Sequence, residues 1–217
     1  MTEAQVPVSN GSVSLSSHGE GRTAVVLGHG AGGDRRNPFL VGLAETLAAS
    51  GRRAVLYNFP YSEARRGRPD TTDLLEETTR TVADHVRRTF AAERLVHGGK
   101  SMGGRIASQV VAGGAPADGL VFLGYPLHPP GKPDVLRDRH LPHITAPMLF
   151  IQGTRDAFAR WDLLTAVLER LGPGAELHRV EDGDHSFAVR KSTGRSKQDV
   201  TDEIHRVVLG WLDARGL

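Results

Sequence analysis

The chain has 217 residues, enough for one domain with a full hydrophobic core. Hydrophobic residues make up 39% and charged residues 24%, with a formal net charge of only +2, so no strong overall field exists to recruit nucleic acid or acidic membranes. Cysteine is absent, which excludes disulfides, thiolate catalysis and cysteine-based zinc sites.

Met1–Asn10 is polar and lacks the apolar segment of a signal peptide, and no apolar run approaches the ~20 residues that span a bilayer. These features predict a cytoplasmic protein of a single domain, 1–217, without membrane or nucleic-acid partners. Gly11–Ser17 alternates small polar and apolar residues, as an edge strand or hairpin arm does. Thr23–Leu27 is a continuous apolar run, the pattern of a strand buried on both faces, and it ends in a loop with four glycines, Gly28–Asp34.

Asn37-Pro38 opens a helix over Phe39–Ser50, with Gly51 as its stop. Arg53–Tyr57 reads as the next strand and runs into Asn58-Phe59-Pro60-Tyr61 and an arginine-rich loop. Leu75, Val82, Val86 and Phe90 form one stripe at helical spacing, which predicts a helix over Thr72–Phe90. Leu95–His97 is a short strand, and Arg105–Val111 continues as a helix after a glycine-rich turn. Leu120–Leu123 and Met148–Ile151 are further buried strands, Trp161–Leu171 a helix, Ala175–Val180 a short strand, and Val200–Leu212 an amphipathic closing helix. Strands alternating with helices predict a mostly parallel sheet with helices on both faces, and ligands in such sheets bind at the carboxyl ends of the strands.

One octapeptide organises the chemistry: Gly98-Gly99-Lys100-Ser101-Met102-Gly103-Gly104-Arg105. Its centre fits the G-x-S-x-G nucleophile elbow, a strand-to-helix turn so tight that it needs glycine two residues before and after the serine. Gly99-Lys100-Ser101 also matches the end of a phosphate-binding loop, G-x-x-x-x-G-K-[ST], but Arg94 stands where that motif places its first glycine. A glycine-rich turn with a helix-capping serine is the plain alternative.

A serine hydroxyl needs a general base held by a third group, and in elbow hydrolases the order is Ser, then acid, then His. Asp156 follows the Met148–Ile151 strand, and His185 follows the last strand, so both loops open onto the sheet edge that carries Ser101. Asp182 and Asp184 are poor orienting partners because they adjoin His185 in sequence, while His178 and His205 lie on a strand and a helix. The oxyanion donors are expected from the N–H of Met102 and, in the loop after the first central strand, that of Ala31. His29, Gly30, Tyr125 and His128 border the expected cleft and are carried as candidate substrate contacts, although His29 can instead orient its loop and His128 can instead brace the proline-rich segment. Lys100 is expected to point away from the elbow to solvent. His140 and His143 flank Pro142 and form no helical pair, so no metal site is expected, and no cofactor is implied. Gly124–Thr145, about twenty residues with five prolines, is too short for a helical cap domain.

With these residues the sequence resembles the α/β-hydrolase superfamily, nearest to its dienelactone-hydrolase-like branch. More narrowly it resembles small bacterial hydrolase-like proteins grouped with testis-expressed and NSL-complex regulatory-subunit proteins of animals. The blocks that carry this are Leu27–Asp34, Asn58–Tyr61 with Arg68–Asp70, Gly98–Arg105, Leu123–Pro133 and Gln152–Asp156. The resemblance implies an α/β-hydrolase fold and the triad Ser101, Asp156 and His185. The expected function is a serine hydrolase acting on a small carboxylic ester or thioester. The alternative is a non-catalytic module that retains the fold.

Overall fold

The computed structural model describes all residues, 1–217. Eight strands form one sheet in the order β1-β2-β4-β3-β5-β6-β7-β8, with β1 Thr2–Val8, β2 Gly11–His18, β3 Thr23–Gly28, β4 Arg53–Tyr57, β5 Arg94–Lys100, β6 Gly119–Leu123, β7 Met148–Gly153 and β8 Ala175–Val180. The hairpin β1–β2 joins β4 antiparallel, and every pairing from β4 onward is parallel. This is the mostly parallel sheet with helices on both faces expected from the alternation of elements, in the α/β-hydrolase arrangement that the resemblance implies.

Strand β1 went unread in the sequence. Of its seven residues only Val6 is buried, so the edge strand gives almost no hydrophobic signal. The short helix α2, Pro60–Glu63, was also hidden, within a stretch that reads as a loop after β4. The remaining helices are α1 Pro38–Ala49, α3 Thr72–Thr89, α4 Met102–Ala112, α5 Trp161–Leu171 and α6 Lys197–Asp213.

Alternation along the central strands divides the core into two layers. Val25 and Leu27 of β3 face α1 and α6, together with Leu40, Leu43 and Leu47 and with Ile204, Val208 and Trp211. Ala24 and Val26 face the opposite layer, where Val82 and Val86 of α3 pack with Ile106 and Val110 of α4. Each fully buried leucine contributes about 1.5–3 kcal/mol, so the three of α1 alone anchor that helix. Asn37 caps α1 by accepting from the N–H groups of Phe39 and Leu40, with Pro38 in the first turn where its missing N–H costs nothing.

Between β6 and β7 the chain makes only a single 3-10 turn, Leu141–His143, and no cap domain is present. No helix is long and apolar enough to cross a membrane.

Candidate active site

The carboxyl ends of β3, β5, β7 and β8 converge at the elbow, and absent side chains set how closely. A Cβ on Gly99 or on Gly103 would stand 2.2 Å from the carbonyl oxygen of Gly28, and one on Gly98 would stand 2.2 Å from that of Val121. These separations are below any real contact, so β5 and the start of α4 touch β3 backbone to backbone. The result forces Ser101 to φ 50°, ψ −114°, a positive-φ conformation that a non-glycine residue adopts at a cost. Ser101 N–H is held by the Leu123 carbonyl at 3.1 Å, and α4 begins immediately after it.

Three side chains from three loops meet there. His185 Nε2 is 2.8 Å from Ser101 Oγ, and His185 Nδ1 is 2.7 Å from Asp156 Oδ2. The Asp156 side chain is fully withdrawn from solvent. Its Oδ1 accepts the Phe158 N–H at 2.7 Å and its Oδ2 also accepts from Gln152 Nε2 at 2.5 Å. Every partner is a donor, the environment that suits an acceptor-only carboxylate. That network assigns the imidazole proton to Nδ1 and leaves Nε2 to accept the serine hydroxyl.

Gln152 and Phe158 are site residues that sequence reasoning missed. Gln152 is fully buried at the end of β7, where it donates to Asp156 and accepts the Tyr125 N–H at 2.8 Å. A polar residue directly continuing the apolar run Met148–Ile151 was the available signal. Phe158 packs its ring on the His185 imidazole, with centroids 4.2 Å apart. Asp182 and Asp184 shape the histidine loop: Asp182 accepts from Arg190 N–H and Nε, and Asp184 from the N–H groups of Ser186 and Ala188.

The N–H groups of Ala31 and Met102 donate to nothing within the protein. The candidate contacts around them are placed differently. His29 is buried, with Nδ1 2.8 Å from the Gly30 carbonyl and Nε2 accepting the Phe59 N–H at 3.2 Å; burial also pushes its imidazole pKa down, favouring the neutral ring. Gly30 has its carbonyl engaged by His29, by the Gly33 N–H and by Tyr61 OH. His128 is likewise buried, with Nδ1 2.9 Å from the Pro129 carbonyl and Nε2 accepting the Arg160 N–H at 2.9 Å. Tyr125 is buried and donates its hydroxyl to the Arg137 carbonyl at 2.7 Å. His29, Tyr125 and His128 therefore spend these polar atoms on loop backbone, which for His29 and His128 is the loop-bracing alternative.

Lys100 requires a correction. It does not point to solvent: its ammonium donates to the His185 carbonyl and lies 5.0 Å from the centroid of the Phe187 ring. The phosphate-loop reading also fails on geometry, since β5 runs unbroken from Arg94 to Lys100 and leaves no loop between Arg94 and Gly99. Beside the histidine loop lies a cavity of about 410 Å³, lined by Phe39, Phe187, Val189 and Val200 with Lys100, Arg195 and Lys197.

An eight-stranded, mostly parallel sheet with a strained serine at the β5–α4 turn defines a protein of the α/β-hydrolase class. The chain belongs to the alpha/beta hydrolase domain family, whose model matches residues 21–213. Solved structures with the same fold include a serine hydrolase without a lid from Xanthomonas campestris, 21% identical over 97% of this chain and 94% of that one, with a TM-score of 0.76. A dienelactone hydrolase from Anabaena variabilis is 21% identical over 98% and 96%, TM-score 0.76. An alpha-beta serine hydrolase homologue from Coxiella burnetii is 18% identical over 97% of both chains, TM-score 0.76.

Proposed function

We propose that this protein is a serine hydrolase that cleaves a small carboxylic ester or thioester through Ser101, His185 and Asp156. The observation that carries the reading is the continuous hydrogen-bonded chain Ser101 Oγ, His185 and buried Asp156 at 2.8 and 2.7 Å. His185 Nε2 takes the hydroxyl proton as Ser101 Oγ bonds to the substrate carbonyl carbon. The carbonyl oxygen becomes an oxyanion, met by the unengaged N–H groups of Ala31 in the β3–α1 loop and of Met102 at the start of α4. Collapse breaks the bond to the alkoxide or thiolate, which leaves with the proton from His185. Water then attacks the acyl-enzyme, with His185 again accepting and returning a proton, and the carboxylic acid is released.

The dienelactone hydrolase among the structural neighbours and the absence of a cap between β6 and β7 support a small substrate reaching an uncovered serine. Fluorophosphonate labelling of folded wild type, lost in Ser101→Ala, with turnover of p-nitrophenyl esters, is the expected result. An unlabelled native protein that turns over no member of an ester and thioester panel refutes the proposal.

A further inference from the structure

The histidine loop is the least regular part of the candidate site. It contains two non-glycine residues at positive φ, Asp182 at 58° and Phe187 at 64°. One side of the turn is well tied, because Asp184 N–H donates to the Ala188 carbonyl at 3.0 Å and Phe187 N–H to the Asp184 carbonyl at 2.9 Å. The carbonyl of His185 itself receives no backbone N–H. Its donor is the Lys100 ammonium, which arrives from β5 and from the residue that immediately precedes the nucleophile.

The ammonium sits close to the buried end of the triad. A Cβ on Gly124 would stand 2.9 Å from Lys100 Nζ and 3.7 Å from Asp156 Oδ2, so the glycine leaves room for a cation near the carboxylate. Lys100 is half-buried, and drawing its ammonium from water onto a backbone carbonyl is costly, so packing alone would be better served here by leucine or methionine. A lysine is therefore explained by what its charge holds.

We propose that Lys100 is a positioning residue for the general base, its ammonium fixing the His185 backbone so that the imidazole stays aligned between Asp156 and Ser101. This rests on the hydrolase reading of the same site. One side chain thereby ties the strand carrying the nucleophile to the loop carrying the base. Two carboxylates influence the ammonium, Asp156 from the loop after β7 and Asp184 from the histidine loop. His185 receives its hydrogen bond, and Arg195 and Lys197 line the cavity on its other side. Burial pulls the lysine down to about 8, partly opposed by the two carboxylates. The charged, stronger donor is thus present at neutral pH and lost as pH rises through about 8.

The test uses p-nitrophenyl acetate turnover and fluorophosphonate labelling of Ser101 from pH 6 to 10, in wild type, Lys100→Met and Lys100→Arg. Wild-type kcat is expected to fall above pH ~8. Lys100→Met should lower kcat about 10–100-fold at pH 7, the scale of a displaced catalytic group, with KM within about twofold and no further alkaline fall. Lys100→Arg should recover most of the activity and stay flat to pH 10, because a guanidinium does not deprotonate there. Labelling of Lys100→Met at the wild-type rate overturns the proposal while leaving the hydrolase reading standing, as does a raised KM at unchanged kcat. No labelling of wild type removes the hydrolase reading and this proposal with it.

Discussion

Replacing Asp156 with asparagine changes one atom and tests the proposed triad most directly. Asp156 Oδ2 accepts from His185 Nδ1 at 2.7 Å and from Gln152 Nε2 at 2.5 Å, while Oδ1 accepts the Phe158 N–H at 2.7 Å. An asparagine that keeps its oxygen toward Phe158 turns an NH2 toward His185. That group donates to Nδ1, moves the imidazole proton to Nε2 and leaves no acceptor for the Ser101 hydroxyl. It also sets two amide NH2 groups against each other at Gln152, and Gln152 cannot flip without giving up the Tyr125 N–H. The opposite asparagine rotamer points an NH2 at the Phe158 N–H, which leaves a buried donor unmet at about 1–3 kcal/mol.

The wrong tautomer is expected to lower kcat by about 10³–10⁴, equivalent to about 4–5.5 kcal/mol of transition-state stabilisation, with KM little changed. The assay is steady-state hydrolysis of p-nitrophenyl acetate at pH 7.5, with a thermal melt to establish that the variant is folded. A folded Asp156→Asn protein that retains more than about a tenth of wild-type kcat refutes the reasoning.

Gly103→Ala should destabilise by about 3 kcal/mol or more, read by urea unfolding, because its methyl would meet the Gly28 carbonyl at 2.2 Å; a loss under 1 kcal/mol would mean the elbow can yield. His128→Ala should cost about 1–3 kcal/mol through the unmet Arg160 N–H, with kcat/KM within about threefold; a large kcat/KM loss in the folded variant would return His128 to substrate binding. His97, enclosed in β5, is pulled down to about 4 by burial, with the Pro116 carbonyl, Asp84 and Asp118 opposing, so the folded state stays neutral while the unfolded chain takes a proton near 6.5. Its contribution is full above about pH 6.5 and is lost as pH falls toward 4, about 2 kcal/mol by pH 5; His97→Leu should reduce the fall in urea stability from pH 7.5 to 5 by that amount, and an unchanged slope would refute the assignment.

The alternation of strands and helices was legible because each buried strand is a near-continuous apolar run and each large helix has a stripe. The need for glycine at Gly99 and Gly103 was readable from the elbow motif, but element boundaries blur where side-chain absence carries the information. Gly98 and Gly99 read as a turn, yet they are the last part of β5, and Gly103-Gly104 are the first turn of α4. Gly98, Gly99 and Gly103 report the nearness of the Gly28 and Val121 carbonyls. Periodicity cannot express that, because it registers side chains and the constraint comes from another strand's backbone. The convergence of Ser101, Asp156 and His185 was readable from their order and loop positions. Between substrate contact and loop bracing, His29, Tyr125 and His128 could not be decided from sequence, because a polar residue near a cleft looks the same whether it faces solvent or its own loop. Lys100 failed for a related reason: its acceptor is a carbonyl 85 positions away.

These placements share one physical logic. A serine at φ 50° is a strained residue, and strain persists only where the surroundings over-determine it. Gly28, Gly99 and Gly103 supply that from below as incompressible backbone contacts. The acid and base loops are joined in the same manner, since a Cβ on Gly153 would stand 2.3 Å from the Gly183 carbonyl and Arg155 N–H donates to that carbonyl at 2.8 Å. Loops β7–α5 and β8–α6 are therefore tied together beside the elbow. From the elbow the Ser101–His185 hydrogen bond and the Lys100–His185 hydrogen bond both reach the histidine loop. In the proposed reaction the first must change, as the proton moves and an acyl group takes its place on the serine. The second need not, so a link of its kind would hold the elbow and the histidine loop in register while the first is broken and remade.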